Sequence, residues 1–169
     1  MNDPATSADT SAAQAAQRIC EITLDERTVL RRSALIEQER AAAIADLLKD
    51  NTFTPLSGRG GPFNLHLAIK ENRLVIDIRT LGDDASEIIM LPVDPFRRIV
   101  KDYFLICESY YNAIRGKSFV QVEAIDMGRR SLHDEGAALL IERLADKVTI
   151  DHDTARRLFT LICVLHLRA

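Results

Sequence analysis

Phe63, Leu65, Leu67 and Ile69 alternate strictly with Asn64, His66 and Ala68. Successive side chains of a strand point to opposite faces, so this pattern predicts a half-buried β-strand. Leu74-Val75-Ile76-Asp77-Ile78 repeats the alternation after a tight turn at Glu71-Asn72, and Glu87–Leu91 repeats it after Gly82-Asp83-Asp84. Three strands joined by such short turns predict an antiparallel meander. Arg18–Leu24 adds a further strand, with Cys20, Ile22 and Leu24 expected on one face.

Elsewhere the apolar period is helical. Ser33 is placed to cap a helix running to Lys49, with Leu35, Ile36, Ala43, Ile44, Leu47 and Leu48 on one stripe. Asn51–Pro62 is rich in Gly, Pro and Ser and reads as a loop, a mobile connection or at most a lid. Asp94-Pro95 predicts a capped helix from there to about Arg115, stopping at Gly116. A long helix is expected over Phe119–Asp146, kinked near Gly128 or Gly136. Asp151 or Asp153 should cap a last helix that is apolar almost all round, which predicts the central helix of the core. Strands first and helices afterwards give an α+β fold. The expected architecture is an antiparallel sheet of about four strands, with one helix before it and three helices after it, packed on one face. Residues 17–169 read as a single domain behind a disordered tail at 1–16, which is too poor in large apolar side chains to order itself.

Composition narrows the class. The chain has 169 residues and a formal charge of −3, which argues against nucleic acid held by bulk charge. Residues 1–16 lack the basic and apolar regions of a secretory signal, and the longest nearly apolar run, Leu158–Leu167, is too short to cross a bilayer. Cys20, Cys107 and Cys163 are odd in number and widely spaced, as free thiols of a reducing compartment are. The expectation is a cytoplasmic protein with no membrane association.

Three long segments carry a resemblance: D-P-F-R-R-I-V-K-D-Y-F-L-I-C-E-S-Y-Y at Asp94–Tyr111, E-A-I-D-M-G-R-R-S-L-H-D-E-G at Glu123–Gly136, and D-T-A-R-R-L-F-T-L-I-C-V-L-H at Asp153–His166. With R-I-C-E-I-T-L-D-E at Arg18–Glu26 they resemble a small alphaproteobacterial family of uncharacterised proteins, over about residues 17–169. The resemblance implies a bacterial cytosolic protein and supplies no catalytic residues.

Of 22 basic residues 17 are Arg, and eight of those stand in the pairs Arg31-Arg32, Arg97-Arg98, Arg129-Arg130 and Arg156-Arg157. Three pairs fall after residue 94, where 12 basic residues meet 10 acidic ones; residues 17–94 carry 10 against 13. Guanidinium forks bind carboxylate or phosphate in bidentate fashion. Biased codon usage, and salt bridges along helix faces, would equally account for the pairs. Asp126, Arg129, Arg130 and His133 share one helix face, as a phosphate-binding and proton-moving cluster or as a solvated ion-pair ladder. Tyr103, Phe104, Tyr110 and Tyr111 lie within nine residues; burial explains Phe104, whereas Tyr110 and Tyr111 suggest the edge of a groove or partner surface.

Other motifs are weaker. Cys163 and His166 stand at i and i+3 and would need His133 or His152 to chelate a metal; there is no C-x-x-C or H-E-x-x-H, so no metal and no cofactor is expected. Cys107 and Cys163 read as core thiols. Gly58, Gly60 and Gly61 lead into a strand and not into a helix N-terminus, and Gly116-Lys117-Ser118 lacks the first glycine of a phosphate loop. The reading is a binding or regulatory protein meeting a protein partner or small anionic ligand through Arg-bearing helices, at Asp126, Arg129, Arg130, His133, Arg156, Arg157, Tyr110 and Tyr111. A small enzyme on a phosphorylated or carboxylated substrate is the alternative, and RNA binding a third.

Overall fold

The computed structural model describes residues 16–27, 34–80, 82–116 and 118–166. The tail expected at 1–16, the Ser33 cap, Arg31-Arg32 and Lys117 therefore lie wholly or almost wholly outside the described residues. Four strands form one sheet in the order β1 (Ile19–Leu24), β3 (Phe63–Lys70), β4 (Arg73–Thr80), β5 (Asp83–Pro92). The meander is antiparallel as expected, with Leu65 opposite Ile78 and Ile76 opposite Ile89. Its first turn places Glu71 and Asn72 at φ 50° and 63°, the left-handed pair that matches the strands' twist.

Strand β1 joins this sheet parallel to β3. A parallel neighbour needs a crossover, and the chain supplies it through helix α1 (Ala34–Lys49). The register shifts between Ile19 and Glu21. That bulge lets Ile19 and Ile22, three residues apart, both face the core, and it turns Cys20 outward. The expected face of Cys20, Ile22 and Leu24 is thus broken at its first member.

The Asn51–Pro62 loop is more ordered than its composition suggests. Strand β2 (Phe53–Pro55) pairs antiparallel with β6 (Val148–Ile150), a two-stranded ribbon too short to show a period. Arg59 donates to the carbonyls of Ile78 (3.0 Å) and Ala85 (2.5 Å), fastening the glycine segment to the sheet. Asn51 is buried and closes three bonds, accepting from Ile19 N at 2.7 Å and donating to the carbonyls of Ile19 and Leu47 at 2.9 and 2.8 Å.

Three helices follow the sheet: α2 (Arg97–Ile114), α3 (Phe119–Leu144) and α4 (His152–Leu165). A 3-10 turn at Asp94–Phe96 leads into α2, and Asp94 makes no cap. Its carboxylate accepts from Asn72 at 3.0 Å and pairs with Arg97 at 2.7 Å. Ser118 and Gln121 form a reciprocal capping box on α3. Helix α3 runs unbroken through both glycines, which mark close packing and not kinks: a Cβ at Gly136 would stand 2.6 Å from the Phe159 ring. Asp151 caps α4, accepting from Thr154 N at 3.0 Å. Every residue of α4 from Leu158 to Leu165 is buried, so it is the central helix. Its apolar side chains join the inner face of the sheet (Leu65, Leu67, Leu74, Ile76, Ile78) in one core.

Candidate functional site

Helices α1, α3 and α4 meet around a cleft of about 400 Å³. It is lined by Glu39, Ala42, Ala43 and Asp46 of α1, by Arg129, Arg130 and His133 of α3, and by Arg156, Arg157 and Thr160 of α4. Two of the Arg pairs singled out in the sequence thus open on one space, together with His133.

The ladder along α3 forms, and it does more than cover a solvated face. Asp126 accepts from Arg129 and Arg130, each at 2.9 Å. Arg129 then crosses to α1, where Nη1 meets Glu39 Oε1 at 3.1 Å, and its guanidinium carbon lies 4.7 Å from the centre of the Tyr110 ring. Burial works against the Arg129 charge, but Asp126 and Glu39 outweigh it and raise its pKa further. The second Glu39 oxygen accepts from the Tyr103 hydroxyl at 2.9 Å. Tyr103, not Phe104, is therefore the fully buried aromatic of its pair. Desolvation pushes its phenol far above the usual range.

His133 sits one turn beyond Arg129 and turns inward. Its ring packs against Tyr103, tilted by 35° with centroids 4.9 Å apart, and meets Phe159 edge-on at 6.5 Å. Burial, then the charges of Arg129 and Arg156, lower its pKa from 6.5 to about 4. Its Nε2 is sealed from solvent and has no hydrogen-bond partner among the described residues.

On α4, Arg157 donates through Nη1 to the Asp50 carbonyl at 2.8 Å. Among the described residues, the Arg156 guanidinium has no hydrogen bond and no ion pair. Arg97 and Arg98 lie elsewhere, occupied by Asp94 and Asn72, and by Asp102 and Glu135 respectively.

Of the eight residues expected at a site, Arg129, Arg130, His133, Arg156 and Arg157 line the cleft. Asp126 and Tyr110 brace it from behind through Arg129. Tyr111 stands aside, donating to Gln38 at 2.6 Å. Sequence reasoning missed Glu39, Asp46 and Thr160. Glu39 had a signal: it falls on the buried stripe of Ile36, Ala43 and Leu47, where a carboxylate needs a cationic partner.

A second, shallower hollow of about 280 Å³ lies on the outer face of the sheet, where Thr23 Oγ1 meets His66 Nδ1 at 2.7 Å and Asp77 pairs with Arg79 at 3.2 Å. The core thiols are inert by position: burial pushes Cys107 up to about 11 and Cys163 well above its usual value. Among the described residues no three His, Cys, Asp or Glu side chains are grouped to hold a metal, and no helix is long and apolar enough to cross a membrane.

The family model described as Uncharacterised protein family (UPF0262) matches residues 16–168. A UPF0262 protein of Azorhizobium caulinodans is 58% identical over 153 residues, covering 88% of this chain and 93% of the relative. One of Rhodospirillum rubrum is 59% identical over 150 residues (89% and 92%), and one of Agrobacterium fabrum 50% identical over 151 residues (89% and 96%). No solved structure gives a significant match. With a family model spanning nearly the whole described chain and relatives above half identity, the chain belongs to the uncharacterised protein family UPF0262.

Proposed function

We propose that this chain is a cytosolic binding protein whose cleft between α1, α3 and α4 takes a small anionic ligand or an anionic group on a protein partner. One observation carries the reading: Arg129-Arg130 and Arg156-Arg157, from separate helices, open on the same concave space as His133. Asp126 and Glu39 close the α3 pair, so the positive potential that a ligand anion lowers comes from Arg156 and Arg157, which solvation alone would spread apart. Arg also supplies the planar fork that carboxylates and phosphates accept.

A second reading has a specific observation in its favour. A titratable side chain with a displaced pKa in a cleft, here His133, is a mark of acid–base chemistry. A small enzyme on a phosphorylated or carboxylated substrate would use it. The direction of the displacement favours binding, because a ring titrating near 4 is a weak base at neutral pH. Asp126 and Glu39 are also committed to Arg129.

The test is thermal unfolding with phosphate, sulfate or citrate against chloride at equal ionic strength. Binding to the folded state alone raises the midpoint. The reading expects stabilisation by at least one polyvalent anion, abolished in an Arg156→Ala/Arg157→Ala variant. Equal midpoints in all four salts contradict it.

A further inference from the structure

We propose that the cleft is built for a dianionic tetrahedral oxyanion, of the phosphoryl or sulfate type, held by Arg156, Arg157 and His133, with His133 taking up a proton as the anion enters. This rests on the anion-binding reading and adds which anion, through which residues, and with what proton balance.

The charges of the cleft divide into two sets. Arg129, Arg130, Glu39 and Asp126 close on one another, with contacts of 2.9–3.1 Å, and sum to zero. The remainder is Arg156, without an ion pair among the described residues, Arg157, bonded only to a neutral carbonyl, and the exposed carboxylate of Asp46. That remainder is one positive charge. A monoanion balances it; a dianion overshoots by one, and one proton on His133 restores neutrality.

His133 is placed to accept that proton. Its Nε2 is sealed, lacks a partner, and belongs to a ring that lines the cleft. An oxyanion offers only acceptors, so the imidazolium of a ring that lines the cleft gives it a third donor. The charged and titratable groups around the ring are Glu39 and Asp46 on α1, Tyr103 on α2, Asp126, Arg129, Arg130 and Asp134 on α3, and Arg156 and Arg157 on α4. Without an anion, burial and the nearer cations hold the ring neutral. An anion among Arg156, Arg157 and the ring reverses that field. The donors come from two separate helices and not from one planar fork, which suits a tetrahedral ion better than a planar one.

Three probes test this by isothermal titration calorimetry in buffers of different ionisation enthalpy, at about pH 7 and about pH 5: sulfate, methyl phosphate and nitrate. An opposite charge at contact raises a His pKa by roughly 1–3 units, so from a value of about 4 sulfate affinity should rise about twofold to fortyfold between pH 7 and pH 5, with protons taken up. Nitrate, a planar monoanion, should show neither. At about pH 7, where methyl phosphate is mostly a dianion like sulfate, tighter binding of methyl phosphate assigns an organic phosphate and the reverse assigns a free anion. His133→Gln should bind sulfate without proton uptake. Should that variant fail to fold, the wild-type His133 ring nitrogens, followed by NMR, must move to the imidazolium position on adding sulfate. Sulfate binding with no proton uptake, or uptake unchanged in His133→Gln, overturns the proposal and leaves the anion-binding reading standing. Failure of all three probes to bind overturns that reading as well.

Discussion

His133 packs against Tyr103 with ring centroids 4.9 Å apart, while its Nε2 is closed off from solvent and has no hydrogen-bond partner among the described residues. Burial, with the charges of Arg129 and Arg156 beside it, holds the imidazole neutral, and neutrality has a stability consequence. His133 titrates near 4 in the folded chain against 6.5 when unfolded. Between those values the unfolded chain binds the extra proton, so this stabilisation is fully present above about pH 6.5 and is lost as the pH falls toward 4. The loss is at most about 3 kcal/mol. Urea unfolding across this range should show it in the wild type and not in His133→Gln; parallel curves would sink the claim.

Glu39 joins three helices, accepting from Tyr103 of α2 and Arg129 of α3. Glu39→Ala strands a buried hydroxyl and half-releases a partly buried guanidinium, and should cost about 2–4 kcal/mol. Tyr103→Phe removes only one hydrogen bond, at about 1 kcal/mol. Chemical denaturation of the two variants measures the difference. Equal costs would show that the Arg129 contact adds nothing.

The two glycines of α3 should respond oppositely to the same methyl group. At Gly136 a Cβ meets three atoms of the Phe159 ring at 2.6 Å, inside the core. Gly136→Ala should destabilise by about 1–3 kcal/mol through overpacking. At Gly128 the clash, also 2.6 Å, is with Cδ1 of Ile106, the free end of a flexible side chain. There the gain in helix propensity, up to about 1 kcal/mol, should leave Gly128→Ala neutral or stabilised. Melting midpoints of both variants decide.

The meander, the central helix and the Asp151 cap were legible because each rests on a local signal: an alternating period, an all-apolar helix, a capping side chain. What escaped depends on contacts distant in sequence. Nothing in Phe53–Pro55 announces a partner at Val148–Ile150. The β1 bulge that exposes Cys20 is a property of its pairing with β3. The site divides in the same way. Helical spacing brought Asp126, Arg129, Arg130 and His133 to one face, and the Arg pairs marked α4. The convergence of α3 with α4, and the part of Glu39, needed the tertiary packing, although a carboxylate on the buried stripe of α1 was a clue.

Cysteine reactivity checks the β1 register. Cys20 is exposed, its thiol donating to Asn64 Oδ1 at 3.0 Å, whereas Cys107 and Cys163 are buried with raised pKa values. A thiol reagent should modify one cysteine per native chain, lost in Cys20→Ser, and all three only on unfolding. Protection of Cys20 would contradict the bulge.

The central claim is that Arg156, the guanidinium left without a partner among the described residues, receives an anion. The most direct measurement is a phosphate titration followed on arginine side-chain Nε signals by NMR. The account predicts a saturable shift at Arg156, accompanied by Arg157, with Arg97 and Arg98 unmoved in their own ion pairs. Weak, unsaturated drift shared equally by all four would contradict it.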